Sequence, residues 1–506
     1  MKVKNIVILG GGTAGFGTAA MLSQVAKNLN LELNITVVHN EDIGIIGVGE
    51  STIFDINQYL RALGLKDEDW MRECNATHKT SIRFQDFYKK GRYFHYPFGG
   101  VQIDATLANR WTYLVKEYPN IFTPEVASIY FQPLSVLNEQ SKISRDDGYL
   151  DDHGAYHFDS HLFGKFLRRY SEERGVKVIN DNYIDCIYDE SIPYGNIESI
   201  VCDNGRYSAD LFIDCTGFKS LLMEAVGGDY ISFDKTLINN RVIRTRLPYN
   251  NKEEQLKTYT NCTALKNGWV WEIPTWDNLS VGYVHNTKFT NPEDIKSEFF
   301  EYLGKEVETD ILNFRTGRYK DGWINNVLSV GLSYGFVEPL ESNGISSIIC
   351  NIFKLTEQLF VRNLDVTTIN RDCFNMGVGY NLDNYKGFVE SHYFLSLRDD
   401  SDYWRYITND IKWFNDDMRH TTGTRFWYDS YLYHIVKERV YDITVEQEGK
   451  LFINSGFNFH PYPIEDPLQT SEQESSEFLK KLKYLFNISK DEPSHYQYLL
   501  ETIYTK

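Results

Sequence analysis

Asn5-Ile-Val-Ile-Leu9 runs into Gly10-Gly11-Gly12-Thr13-Ala14-Gly15, and the join of these two stretches decides the fold. The first stretch is apolar and β-branched, as a strand buried on both faces of a parallel sheet must be. The second is a GxGxxG turn. Gly10 permits a tight turn, Gly12 lets the backbone approach a pyrophosphate, and Gly15 lets a helix pack closely on the strand. The helix that follows, to about Lys27, aims the amides around Thr13 and Ala14 at the phosphates. Leu33–Val38 reads as the next strand, so the chain opens β-turn-α-β. A GxGxxG alone is a weak signal, but its strand, its helix and its N-terminal place favour a dinucleotide site over a structural glycine turn.

Working outward, the second strand ends in His39-Asn40-Glu41. The acid usual at that strand end is missing, which leaves Glu41 or His39 to reach the ribose hydroxyls. Gly47-Val-Gly49-Glu50-Ser51-Thr52 follows. Its glycines admit a bulky ligand close to the backbone, and Ser51 or Thr52 can cap a helix starting near Ile53. Phe158–Arg174 reads as a helix and Val176–Ile179 as a strand. A further strand ends at Asp214 and runs into Cys215-Thr216-Gly217. Each piece alone is ordinary turn chemistry; in this order they favour FAD over NAD. The expected fold is therefore α/β: a Rossmann-like, flavin monooxygenase-type FAD-binding module in segments of about 1–60, 150–235 and 311–365. Aromatic, β-rich segments of about 80–135 and 236–310 form an inserted substrate-side sheet, and 366–506 is a mainly helical substrate-side region.

At 506 residues and 42% hydrophobic, the chain has ample material for a core in two to four lobes, which argues against disorder. A net charge of -18 repels phosphate backbones and argues against nucleic acid. The chain has no apolar run able to span a bilayer, and Met1–Leu9 is too short for a signal peptide. Seven scattered cysteines without a CxxC argue against zinc or a disulfide framework and fit a reducing cytoplasm.

Three further segments carry chemistry. Trp269-Val-Trp271-Glu-Ile273-Pro274 is a WxWxIP motif; two tryptophans two apart, taken alone, are core residues on one strand face. Asn75-Ala-Thr-His-Lys79 ends in a lysine whose bland reading is a solvated charge. Phe336-Val-Glu338-Pro339-Leu-Glu341-Ser342-Asn343-Gly344 leads into a helix with apolar positions Ile345, Ile348, Ile349 and Ile352. Glu338 or Glu341 alone reads as an acid complementing the helix dipole. Together with the glycine turn and Gly49-Glu50-Ser51-Thr52, these segments resemble the flavin-dependent tryptophan halogenase family over most of residues 1 to about 430.

The resemblance implies the following roles. Lys79 matches the family's catalytic lysine, which captures hypohalous acid by hydrogen bonding or as a haloamine. Glu341 matches its catalytic glutamate, which steers the halogenating species or takes the ring proton. Asn343 and Gly344 stand at the halide site, where helix-terminal amides suit an anion. The family usually carries threonine where this chain has Asn343, so a larger ion than usual fits the expectation. Trp269, Trp271 and Pro274 keep substrate from the flavin. Gly331 and Gly335, in Leu328–Gly335, match a third flavin contact. Glu390-Ser-His392-Tyr393, Arg398 and Trp404 match structural positions.

The aromatic slot that clasps substrate matches less well. Tyr96 stands where the family has histidine, His95 is one place off, and Phe98 fits; these three are the expected walls. Gly456-Phe-Asn-Phe-His460-Pro-Tyr-Pro463 has no clear counterpart. No second nucleotide domain for NAD(P)H is evident, which implies a separate NAD(P)H-dependent flavin reductase. The expected activity is halogenation of an electron-rich indole- or phenol-type small molecule with reduced FAD, dioxygen and chloride, bromide or iodide. Two other classes stay open: a single-component FAD monooxygenase that hydroxylates an aromatic, and a non-catalytic flavin-binding protein. Oligomeric state is left open, a homo-oligomer included.

Overall fold

The computed structural model describes residues 1–43, 49–99, 105–146, 148–189, 195–413, 447–460 and 471–505. Gly47 and Val48 of the second glycine segment, and Pro461 to Pro463, lie outside them. Two compact units form. One gathers Met1–Ala76, Phe158–Asp234 and Arg315–Asp383; the other gathers Thr77–His157, Lys235–Phe314 and Asn384–Lys506.

The first unit is built on a six-stranded sheet in the order Trp323–Ile324, Val327–Ser329, Leu211–Asp214, Asn5–Leu9, Asn34–His39, Lys177–Asn180. Its inner strands are parallel, and only the two-residue edge strand runs antiparallel. Asn5–Leu9 lies central and is buried from Ile6 onward, which is why it reads as an unbroken apolar run. Its last residue stands opposite both Val38 and Asp214, so the glycine turn opens where three strand ends meet. The helix Thr13–Asn28 packs against the helices Ser160–Glu172, Asp55–Leu63 and Asn343–Phe360. Gly17 makes this crowding possible: Tyr59 donates its hydroxyl to the Gly17 carbonyl at 2.8 Å.

Phe158 belongs to the strand Ala155–Asp159, and the helix starts at Ser160. Asp159 ends the strand and accepts from the His161 and Leu162 amides, a side-chain cap that sets the boundary. The helix after the second glycine segment starts at Asp55, with Phe54 at its cap position and no side-chain cap. The residue at the cap position is thus Phe54 rather than Ser51 or Thr52, and Ser51 accepts from the Ser342 hydroxyl at 3.0 Å.

The second unit holds a seven-stranded sheet in the order Asp310–Asn313, Arg241–Leu247, Leu279–His285, Gly268–Pro274, Tyr259–Ala264, Ser81–Gln85, Tyr93–Pro97. The helix Pro292–Leu303 covers part of it through Ile295 and Phe299, against Ile243, Val270, Val281 and Tyr283. A second core joins Trp111, Phe122 and Phe131 to Leu451, Phe452 and Phe478 from the C-terminal helices. The short strand Thr77–Lys79 pairs antiparallel with the strand that begins at Ala155. Among the described residues, no helix is long and apolar enough to cross a membrane.

Candidate active site

The glycine turn of the first unit is a cradle only glycines can form. Gly10 turns at φ 108°, and a Cβ there would fall 2.3 Å from the Cys215 carbonyl oxygen. A Cβ on Gly15 would fall 2.0 Å from the Gly10 carbonyl oxygen. Gly12 is extended, and Gly164 of the neighbouring helix lies close over the Gly12–Thr13 backbone. Thr13 donates its hydroxyl to the Ser160 carbonyl at 3.3 Å. The helix beginning at Thr13 has no side-chain cap and no acid in its first turn, which suits its leading amides to a phosphate. Gly331, at φ 70°, sits against Ala14 and Ile348; its amide donates to Asn351 Oδ1 at 3.0 Å. Gly335 is pressed against Leu382 and Arg318. Gly217 is an open turn residue at φ 67°. The first and third glycine segments thus converge on one end of the parallel sheet, and the residues present fit a dinucleotide such as FAD.

Two expected cofactor contacts are occupied by the chain itself. The Asp214 carboxylate accepts from the Thr216 amide and hydroxyl at 2.9 and 2.7 Å and from the Leu222 and Met223 amides at 2.8 and 3.0 Å. It is fully buried and holds the turn after its strand, rather than presenting a free carboxylate to a ligand. Glu41 is half-exposed and accepts from Arg168 at 2.6 Å, which holds its carboxyl below the usual range. His39 lies against Gly11, and burial, then the Arg168 charge, lowers its ring's proton affinity.

Gly49–Ser51 and the Glu341 segment meet in this unit. Besides the Ser342–Ser51 bond, Ser346, in the first turn of its helix, donates to Asp55, the first residue of the helix Asp55–Leu63. Glu341 ends a short 3-10 turn and is buried. Ser342 turns at φ 57°, and the helix Asn343–Phe360 follows with no side-chain cap and no acid in its first turn. Asn343 is 1% exposed; its Nδ2 donates to the Glu338 carbonyl at 3.3 Å. A Cβ on Gly344 would meet nothing within 4 Å, so open space adjoins this helix start. Such space beside helix amides suits a halide.

In the second unit Lys79 is fully buried, and its Nζ lies 4.8 Å from the centre of the Phe98 ring. Tyr96 meets Phe98 edge to face at 6.1 Å. Phe388 and Phe452 flank Tyr96, each at 6.0 Å. Lys79, Phe98 and Tyr96 therefore form one aromatic group. His95 does not join it. It sits on the opposite face of its strand, hydrogen-bonded to Ser81 at 3.0 Å and 3.6 Å from Glu139. Strand alternation separates neighbours in sequence to opposite faces. Phe452, which no sequence motif marks, takes a place in the aromatic wall.

Trp269 and Trp271 share a face of the strand Gly268–Pro274, with ring centres 6.1 Å apart and both buried. Trp271 stands opposite Gly282, where a Cβ would fall 2.2 Å from the indole. Pro274 ends that strand and accepts from the Thr77 hydroxyl at 2.6 Å, two residues before Lys79. Thr77 lies inside the Lys79 segment but has no assigned role there, and its partner His157, at 3.4 Å, carries no sequence motif. Only the strand pairing reveals them.

Comparison with known proteins agrees with this geometry. The family model described as tryptophan halogenase matches residues 5–422. The 7-chloro-L-tryptophan 6-halogenase KtzR of Kutzneria sp. (strain 744) is 33% identical over 425 residues, 79% of this chain and 81% of KtzR. The tryptophan 7-halogenase RebH of Lentzea aerocolonigenes is 32% identical, over 80% of this chain and 78% of RebH. The apo structure of VirX1 superposes with a TM-score of 0.90 at 34% identity, covering 99% of this chain and 100% of that one. The chain belongs to the tryptophan halogenase family, the flavin-dependent halogenases.

Proposed function

We propose that the chain halogenates a tryptophan-like or other electron-rich indole- or phenol-type small molecule, with FAD reduced by a separate NAD(P)H-dependent reductase. The observation that carries this reading is Lys79: a lysine with no solvent exposure, its ammonium set over the Phe98 ring. Burying that amine is costly, and a chain keeps it where the amine has work to do. Gly10, Gly12, Thr13, Ala14, Gly15, Gly331 and Gly335 would hold FAD, which in its reduced form would supply the two electrons that let dioxygen oxidise the halide. Asn343 and Gly344 hold the halide at the helix start. Lys79 receives the electrophilic halogen and presents it to the aromatic substrate; proton acceptance is assigned to Glu341 from the family resemblance. Phe98 and Tyr96 bind the flat substrate by ring contact. Trp269, Trp271 and Pro274 keep substrate from the flavin, so halogen rather than oxygen is transferred.

The test is product mass spectrometry with FAD, a generic flavin reductase, NADH and a panel of indoles and phenols, run separately in chloride, bromide and iodide. Halogenated product that tracks the halide supplied is expected. Hydroxylated product without halogen replaces this reading with the monooxygenase.

A further inference from the structure

The strand that carries Lys79 is tied to the tryptophan strand through an ordered hydrogen-bond chain. Thr77 and Lys79, two apart, share one face; His157 stands opposite Thr77 and Ala155 opposite Lys79, on that same face. The Thr77 hydroxyl lies 2.6 Å from the Pro274 carbonyl oxygen and 3.4 Å from His157 Nδ1. On its other side, His157 Nε2 lies 2.9 Å from the Thr260 hydroxyl.

The direction of this chain follows from donor inventory. A carbonyl only accepts, so the single Thr77 proton goes to Pro274. Thr77 then turns a lone pair to His157, which makes Nδ1 the protonated nitrogen. Neutral imidazole carries one proton, so Nε2 accepts from Thr260. The order runs Thr260 to His157 to Thr77 to Pro274. A cationic imidazole would set a like charge beside Lys79. Burial, then the Lys79 charge, then His495 hold His157 well below its ordinary proton affinity, which keeps the ring neutral. His78, on the opposite strand face, packs with Tyr156, Tyr498 and His495 and takes no part in the chain.

We propose that Thr77 and His157 are positioning residues for Lys79: they lock the lysine strand to the carbonyl of Pro274 and so fix the amine over the Phe98 ring. The inference rests on Lys79 being the residue that receives the halogen. Neither residue needs to touch substrate or flavin.

Steady-state halogenation by the full-length chain, with FAD and a flavin reductase present, tests this in Thr77→Val, Thr77→Ser, His157→Asn, His157→Gln and, as a reference, Lys79→Ala. Valine keeps the shape of Thr77 and removes its hydroxyl. Thr77→Val is expected to lower kcat about 10- to 100-fold with KM changed less than about twofold, because a small misplacement of a reacting group acts on the chemical step. Thr77→Ser restores most of that loss. His157→Asn, whose amide nitrogen overlays Nδ1, retains more kcat than His157→Gln, whose amide overlays Nε2. Loss of packing alone would instead favour the larger glutamine. FAD content and melting temperature, measured on every variant, separate misfolding from misplacement. Wild-type kcat in Thr77→Val, or glutamine outperforming asparagine at His157, overturns the positioning role when Lys79→Ala is inactive. Full activity in Lys79→Ala removes the underlying assignment of the lysine instead.

Discussion

At the scale of single residues, two glycines set the limits of the cofactor cradle and of the tryptophan pair. Gly10 has a left-handed φ and no room for a Cβ against the Cys215 carbonyl. Gly10→Ala is expected to leave a chain that loses FAD on gel filtration, whereas wild type retains it; retention in the variant would contradict the cradle. Gly282 has no motif around it, yet its missing side chain is the space the Trp271 ring fills. Gly282→Ala overpacks that contact and is expected to destabilise by about 1–3 kcal/mol in denaturant unfolding. A neutral result would mean the indole has room to move. The contrast explains what the sequence makes legible. Gly10 belongs to a pattern whose spacing is dictated by a phosphate. Gly282 is defined only by a partner opposite it on the next strand, and no spacing along the chain encodes that register.

At the scale of elements, strands and helices of the nucleotide module are readable because their apolar runs and glycine punctuation are local. Their boundaries are not, since they depend on which side chain caps what. Asp159 starts its helix at Ser160 by accepting two amides, while Ser51, a good cap by type, is taken by Ser342. The same pairing of helix starts joins Ser346 to Asp55. Asp55 Oδ1 is buried with no hydrogen-bond partner among the described residues, and burial raises the carboxyl to about 7. The folded chain therefore keeps a proton that the unfolded chain releases. The resulting stability is full below the unfolded value, falls as pH rises toward about 7, and is flat above it. Asp55→Asn removes that dependence. Its unfolding free energy is expected to gain about 1–2 kcal/mol over wild type near pH 8 and little near pH 5. An equal offset at both pH values would place the carboxyl's titration elsewhere.

At the scale of the whole molecule, the candidate site residues come from segments far apart in sequence. Gly10–Gly15, Gly331 and Glu341 belong to one unit; Lys79, Phe98 and the tryptophan strand belong to the other. Each motif stands out in the sequence because its residue types are ones a ligand or a reaction would call for. The aromatic wall was legible only in part. Phe98 and Tyr96 lie near Lys79 in sequence, whereas Phe452 reaches Tyr96 from the C-terminal region through tertiary packing alone. His95 was misplaced by one residue, which on a strand means the opposite face. If FAD binds only the folded first unit, it stabilises that unit by roughly 2.7 kcal/mol at a hundredfold excess over Kd. A rise in melting temperature with added FAD is expected. The bound flavin is also expected to keep its visible absorbance when NADPH alone is added and to bleach once a reductase is supplied. Rapid bleaching by NADPH alone would favour the single-component monooxygenase.

The most direct test of the central claim is Lys79→Ala, supplied with reduced FAD, dioxygen, bromide and an indole. Flavin oxidation and halogenated product would be measured in the same reaction. The account predicts that the variant binds and oxidises FAD as wild type does but forms no halogenated product, because the oxidised halide has no amine to receive it. Halogenated product at the wild-type rate would contradict it and leave Lys79 a buried structural residue.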